Sequence, residues 1–501
     1  MRRRGNSAQG IIVSVLVGSG LVLALILAVM VGQGASTQAV VIALGITAVC
    51  GSLASLEFAV GALVVVSFLD GFIKGVDPSK MAVFVKDFFL LLALLRWGWT
   101  CLLERRWPAL RMGMTLPALL FTVYCLMQMF NTATADYRIA LAGVRTWILW
   151  IPAAFIVHDL ARSRGRVERL MLVVIVMAFL TGVYGMVQYR IGFGHLSALG
   201  PGFAWYARHF TAGGAAGATV RATSTFVNPG ALGAAMSMSA VIALGGGAFF
   251  RGRPLKLLSV VTAAVCLVGL GASASRAPLL GLIAGGAVLL VLMRRTRLLL
   301  TLALGGIIFF LLVSGFAGGA FARRYNRHML NTGAVVNRVM VPFNHGWDSL
   351  QDNPLGVGVA TGAGIGRGST ALGNPQFHLG EATGFVENEY ARALRELGFP
   401  GCFLFLWMLY AVVAGNMRAY RRCHTPGYRG VASACVALTV FVLTQLTVGS
   451  ALYLAPGGLL FWAFYAISQR LPEIEEAELG HAFSPQAALA PAAPAVPVPA
   501  P

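Results

Sequence analysis

The chain has 501 residues, of which 57% are hydrophobic and only 11% charged, where a soluble domain carries about a quarter of charged residues. Its 38 Lys+Arg against 18 Asp+Glu leave a formal charge of +20, carried by 34 Arg and 4 Lys. These figures exclude a soluble globular enzyme, a disordered chain and a disulfide scaffold. They argue against nucleic-acid binding, because so few charges cannot coat a surface, and leave a polytopic membrane protein.

Spans of about 20 mostly apolar residues are predicted at 11–32, 38–54, 56–72, 80–102, 113–131, 140–160, 168–190, 223–249, 255–272, 277–293, 298–316, 388–415, 429–448 and 452–469. The apolar run from Gln38 to Phe72 is too long for one helix, and Gly51-Ser52 is the predicted turn within it. Dividing the run there puts every basic cluster on one side: Arg2-Arg3-Arg4, Arg105/Arg106/Arg111, Arg162/Arg164/Arg166/Arg169, Arg251/Arg253/Lys256, Arg294/Arg295/Arg297 and Arg418/Arg421/Arg422/Arg429. Loops rich in Lys and Arg face the cytoplasm. The expectation is therefore an all-α polytopic protein of twelve to fourteen transmembrane helices, fourteen by this parity, with both termini cytoplasmic. The first span follows MRRR without a small-residue cleavage site, and it reads as a retained anchor.

Two external segments are too long for turns, 191–222 and about 317–387. The second carries Arg323, Arg324, Arg327, Arg338 and Arg367 against the topological bias. A functional role explains this, and so does the translocation of long late loops regardless of charge. The membrane domain is expected over 1–470. The tail 471–501 opens acidic and ends Ala/Pro-rich, a composition that buries no core and predicts a disordered cytoplasmic segment. The seven cysteines fall in spans or on the inner side, so no external disulfide framework is expected. The eight histidines are scattered, which supports no metal site.

Four stretches carry residue types suited to chemistry. In RATSTFVNPGALGAAMSMSA, Arg221 stands at the outer mouth of a span rich in small residues, which let helices approach closely. It reads as an anion clamp or as an interfacial anchor that snorkels. In GASASRAP, Arg276 opens a span with Ser273 or Ser275 able to cap it, and a helix N-terminus favours an anion. Both arginines are expected on the outer face, where a guanidinium fork suits a pyrophosphate. In the large loop, Phe343, Trp347 and Leu350 are at helical spacing and predict a short amphipathic helix packed on the bundle by its aromatic stripe, followed by a Gly-rich turn. This stretch lacks the Lys-Ser/Thr of a P-loop. Before the twelfth span, Glu387, Asn388 and Glu389 read as a capped helix start with acids at its positive end. Alternatively, Glu387 is a general base at the membrane surface.

The ordered set resembles the O-antigen ligase and O-antigen polymerase superfamily. The matching pieces are R-A-T-S-T-F-V-N-P from Arg221, S-A-S-R-A-P around Arg276, N-R then W-D-S-L-Q-D-N-P-L-G-V-G in the large loop, and E-N-E-Y-A-R-A-L-R-E-L-G-F-P-G at the next span. The resemblance covers roughly 220–415. It implies a GT-C-like membrane glycosyltransferase of the bacterial inner membrane with a large periplasmic loop and a periplasmic active site. Such an enzyme needs no metal, cofactor or nucleotide sugar. It transfers a glycan from an undecaprenyl-pyrophosphate donor to another glycan or to lipid A–core. Arg221 and Arg276 match the arginines proposed in this family to hold the pyrophosphate. Ligases typically have His before the Asn of the last motif; here it is Glu387, which favours a polymerase of O-antigen, capsule or exopolysaccharide. Glu387 is then the expected base with His378 as its alternative, Asn388 and His378 orient substrate, and Arg338 is a second clamp or glycan contact. Membrane lipids are expected partners, and the polymerase reading allows a chain-length regulator. A ligase is the competing reading and a lipid-linked glycan flippase a more remote one; the chain shows no internal repeat of the transporter kind.

Overall fold

A computed structural model describes residues 36–107, 110–131, 137–196, 199–212, 219–293, 339–361, 388–449 and 451–482. The expected spans 11–32 and 298–316 lie outside the described residues. Each of the other twelve coincides with a helix or a helix pair. Among the described residues, six helices are long and apolar enough to cross a membrane, or seven if one bent pair counts as a span. The chain is thus a multi-pass helical membrane protein, and the expected fourteen spans are not reached among the described residues. Large apolar side chains such as Leu95, Leu119, Ile283 and Phe403 are exposed on the helices' outer faces, as a lipid solvent permits.

The first helices are α1 (Ser36–Ala54) and α2 (Leu56–Phe68). Their break falls at Ser55 rather than at the expected Gly51-Ser52. Ser55 is extended and its side chain accepts from Phe58 N at 3.5 Å. Ser52 instead bonds back to Ala48 O, and Gly51 lies against the Phe58 ring. A hydroxyl that caps the next helix outweighs the weak helix propensity of Gly51. Next, α3 (Asp70–Val76) bends from α2 by 62°. The Asp70 carboxylate at the break accepts from Lys74 at 2.7 Å and from Lys86 at 2.8 Å, the latter on α4 (Lys80–Leu103).

The order continues with α5 (Thr115–Met127), α6 (Tyr137–Ile148), α7 (Ile151–Leu160), α8 (Arg164–Ile191) and α9 (Gly202–Phe210). A two-residue antiparallel pair follows, β1 (Thr211–Ala212) with β2 (Thr219–Val220). Then come α10 (Pro229–Gly246), α11 (Arg253–Ser273), α12 (Arg276–Leu292), α13 (Val341–Asp352), α14 (Glu389–Arg422), α15 (Pro426–Gln445) and α16 (Gly457–Ala482). Small residues set the closest crossings. Gly285 of α12 lies against the Ala437 carbonyl of α15, and Gly245 of α10 against Gly430 and Ala434 of α15. Missing side chains at these positions let backbones approach, the main source of helix association in lipid.

Charged groups sort the bundle into two ends. At one end Glu57 pairs with Arg166 and Arg169, and Glu104 with Arg106 and Arg162. Glu478 there pairs with Arg164 and Arg251. Loops far apart in sequence therefore meet at one arginine-rich end. The helix α16 runs through Pro472 to Ala482, so ordered structure extends past the expected boundary at 471. Leu471, Ile474 and Glu475 are buried, and Glu475 accepts from the backbone N–H of His424 at 3.0 Å and from that of Thr425. A carboxylate that satisfies two backbone donors is a packing partner, which composition alone does not reveal.

Candidate active site

The opposite end is built around residues 221–228, which are non-helical although the sequence predicts a span from 223. Asn228 ends the irregular stretch: it accepts from Ala231 N at 2.8 Å with Pro229 behind it, and α10 starts there. Irregular backbone at this depth survives only where protein groups satisfy it. Arg221 N donates to Phe210 O, and Ala222 N to Ala272 O. Gln188, fully buried on α8, accepts from both Thr223 N at 2.8 Å and Ser224 N at 2.7 Å. Ser224 lies at φ 52° and donates its hydroxyl to Thr181 O. Thr225 donates to Phe68 O and accepts from Phe72 N, which ties the segment to both sides of the α2–α3 break.

This scaffold aims Arg221 at the turn between α11 and α12. Its Nη2 donates to Ser275 Oγ at 3.2 Å, and its Nε points to Ser273 O at 3.4 Å. Ala274 in that turn has φ 48°, and Ser273 Oγ accepts from Ser275 N. Ser275 holds the cap position of α12 but makes no side-chain cap bond, its hydroxyl being turned to Arg221. Arg276 is the first residue of α12. Arg221 thus reaches the turn that leads into α12, and Arg276 follows that turn in sequence; both residues are half-buried. A guanidinium beside a helix N-terminus has the chemistry that suits an anion.

A second link joins this turn to the start of α14. Gln445 Nε2 donates to Ala277 O, and the next residue, Leu446, accepts at its carbonyl from Glu389 N at 2.8 Å. Asn388 caps α14 by accepting from Tyr390 N and Ala391 N, and its Nδ2 points to Val339 O at 3.5 Å. The cap reading of Asn388 therefore holds. Glu387, His378 and Arg338 lie outside the described residues. Three of the six expected site residues, Arg221, Arg276 and Asn388, sit on one continuous hydrogen-bonded chain of elements.

The first turns of α14 hold Glu389 together with two charges absent from the expected set, Arg392 and Glu396. Glu389, Arg392 and Glu396 are all buried, at 1%, 1% and 0% exposure. Arg392 donates to Glu396 at 3.2 Å and to the Thr146 hydroxyl, and lies 4.1 Å above the Trp147 ring. Trp147 Nε1 in turn donates to Glu396 at 2.7 Å. The spacing of three and four residues places the group on one helix face, a signal that was available in the motif E-N-E-Y-A-R-A-L-R-E.

The large loop braces this helix. Val357 N donates to Arg395 O, Gly358 N to Glu396 O and Phe399 N to Pro354 O. Gly398 at φ 63° kinks α14, and its backbone meets Gly356 at φ 93°. The amphipathic helix appears as α13, but Phe343 and Trp347 are 40% and 50% exposed. The expected packing by the aromatic stripe is thus corrected: Gly346 faces the bundle and lies against Ala391. Bare backbone allows the closer approach, which turns the rings outward. Among the described residues, no three His, Cys, Asp or Glu side chains come together as a metal site.

No curated protein matches the chain. The family model described as O-Antigen ligase matches residues 259–406, a stretch that includes Arg276, Asn388, Glu389, Arg392 and Glu396 but not Arg221. Residues 259–406 are thus similar to the O-antigen ligase family, over a stretch that holds three of the four motifs quoted for the resemblance.

Proposed function

We propose that the protein is a polymerase that joins undecaprenyl-pyrophosphate-linked glycan repeat units in O-antigen, capsule or exopolysaccharide synthesis. The observation that carries this reading is the contact of Arg221 with the Ser273–Ser275 turn, from which α12 starts at Arg276, at the end of the bundle opposite the arginine-rich loops. In this reading the arginine-rich end is cytoplasmic, the clamp faces the periplasm of an inner-membrane protein of fourteen spans, and 317–387 is a periplasmic loop. The chain acts without metal or cofactor.

The reaction is displacement at the anomeric carbon of the donor. The acceptor hydroxyl oxygen bonds to that carbon while the bond to the pyrophosphate oxygen breaks, and the electron pair leaves with the pyrophosphate. Negative charge grows on the leaving group, where Arg221 and Arg276 stabilise it. Glu387 takes the hydroxyl proton, with His378 as the competing base. Asn388 and His378 orient substrate, and Arg338 supplies a further glycan contact. Glu387 in the position where ligases carry His favours polymerisation over transfer to lipid A–core.

The test is chain extension by purified protein in detergent with the lipid-linked repeat units that accumulate in a deletion strain. Longer chains are expected from the wild type and none from Arg221→Ala or Arg276→Ala at equal protein level. Full extension by both variants refutes the clamp. Transfer only when lipid A–core is added identifies a ligase, and activity that needs a sealed membrane identifies a flippase.

A further inference from the structure

Among the described residues, the buried group at the start of α14 holds an unmet hydrogen bond. Glu389 and Glu396 both face Arg392. The donors of Arg392 go to Glu396 and Thr146, and its planar face is taken by Trp147 at 4.1 Å and Tyr453 at 5.5 Å. Glu396 also holds the Trp147 indole N–H. Glu389 receives the backbone N–H of Leu452 on one side, and its Oε1 has no hydrogen-bond partner among the described residues. A buried acceptor without a donor is rare in native structures and costs about 1–3 kcal/mol, more for a charged group. Folding therefore gains from a ligand that brings a hydroxyl to that oxygen.

The position says which hydroxyl. The backbone N–H of Glu389 is bonded to Leu446 O, and Gln445 beside it holds Ala277 O next to Arg276. The unmet oxygen thus belongs to the element tied directly to the clamp. It repels a phosphate and attracts a neutral donor-rich group, so it suits a sugar and not the pyrophosphate. We infer that Glu389 forms the acceptor subsite, its Oε1 accepting a hydrogen bond from a hydroxyl of the incoming glycan. The inference rests on the glycosyl-transfer reading and adds the element that selects the acceptor.

The experiment splits donor binding from acceptor use. Purified wild type, Glu389→Gln and Arg221→Ala are compared for binding of the lipid-linked repeat unit from the deletion strain. Transfer is then measured at fixed donor while the repeat oligosaccharide, released from its lipid by mild acid, is titrated as acceptor. Losing a charge-assisted hydrogen bond raises the acceptor KM of Glu389→Gln about 10-fold or more, with donor affinity at the wild-type value. Arg221→Ala shows the reverse, weak donor binding. An unchanged acceptor KM in Glu389→Gln overturns the subsite, and so does a parallel loss of donor binding, which marks Glu389 as a structural group. If the wild type binds donor but transfers to no glycan, the transfer reading itself falls.

Discussion

Arg221 and Ser275 are 54 residues apart in sequence and meet at 3.2 Å, guanidinium Nη2 to hydroxyl Oγ. The contact carries Arg221 to the first turn of α12, where Arg276 begins. It also explains why Ser275 occupies a cap position without capping: its hydroxyl is an acceptor for the arginine. A helix start left without a side-chain cap keeps N–H groups available to an anion.

Substituting Arg221 by Lys tests whether the fork or only the charge matters. An ammonium keeps the charge but cannot make the fixed fork to Ser273 O and Ser275 Oγ and also present two parallel donors to a phosphate. Chain extension is expected to fall about 10-fold or more in Arg221→Lys at normal protein level, a loss of at least ~1.4 kcal/mol. Extension at the wild-type rate shows that position 221 needs only a positive charge.

Gly71 supplies the second test. A Cβ there would overlap the Phe226 carbonyl, because α3 crosses the 221–228 segment backbone to backbone. Flexible side chains can move aside, but two bonded backbones cannot, with Phe72 N and Tyr206 Oη already fixed to this crossing. Gly71→Ala is expected to cut both folded yield and activity. Gly61→Ala in α2 is the control, since a Cβ there meets nothing within 4 Å. A mid-helix alanine is favoured over glycine by about 0.5–1 kcal/mol, so Gly61→Ala leaves yield unchanged or higher. Equal yields from the two variants would contradict the close crossing.

Some of this was legible in the sequence. Asn388 announces a helix start through local chemistry and α14 begins there; Asn228-Pro229 carries the same signal, but the sequence predicts a span from 223 and α10 starts only at Pro229. Glu389, Arg392 and Glu396 were legible as a face by spacing, although not as a buried group. Nothing local marks Gln188 or Gly71. Gln188 is an amide in an apolar helix until Thr223 and Ser224 come to it from 35 and 36 residues away. Gly71 reads as one of many glycines until Phe226 crosses it. Periodicity reports which face of a helix is apolar, but the partner of a single polar atom depends on tertiary contacts.

Gly398 and Gly356 make the third test. Both have positive φ, and each backbone fills the space where the other's Cβ would stand. Gly398→Ala combines the strain of φ 63°, ψ −164°, a region essentially reserved for glycine and worth about 1–3 kcal/mol, with a clash against the loop that braces α14. The expected result is a loop 353–361 that no longer docks, seen as faster amide exchange at Val357 and Gly358, whose N–H groups bond to Arg395 O and Glu396 O. Transfer activity should drop with it. Wild-type exchange at Val357 and Gly358 in Gly398→Ala would show that the kink does not hold the loop.

Gln188 gives the sharpest test of how the clamp is built, because it touches no candidate substrate group. Its Oε1 satisfies two backbone N–H groups in a fully buried turn that includes Ser224 at φ 52°. Gln188→Leu preserves volume and hydrophobicity, so the α8 helix itself should persist. It leaves both N–H groups unsatisfied, at about 1–3 kcal/mol each when no partner replaces them. Thr223 and Ser224 follow Arg221 by two and three residues, so the turn that loses its anchor is the one that aims the arginine. Thermal stability of the purified protein is expected to fall, and donor binding to weaken as it does in Arg221→Ala. Gln188→Glu retains an acceptor oxygen for the same two donors and should recover donor binding better than Gln188→Leu. If Leu and Glu at this position are equally weak in donor binding, the hydrogen bonds to Thr223 and Ser224 are not what places Arg221.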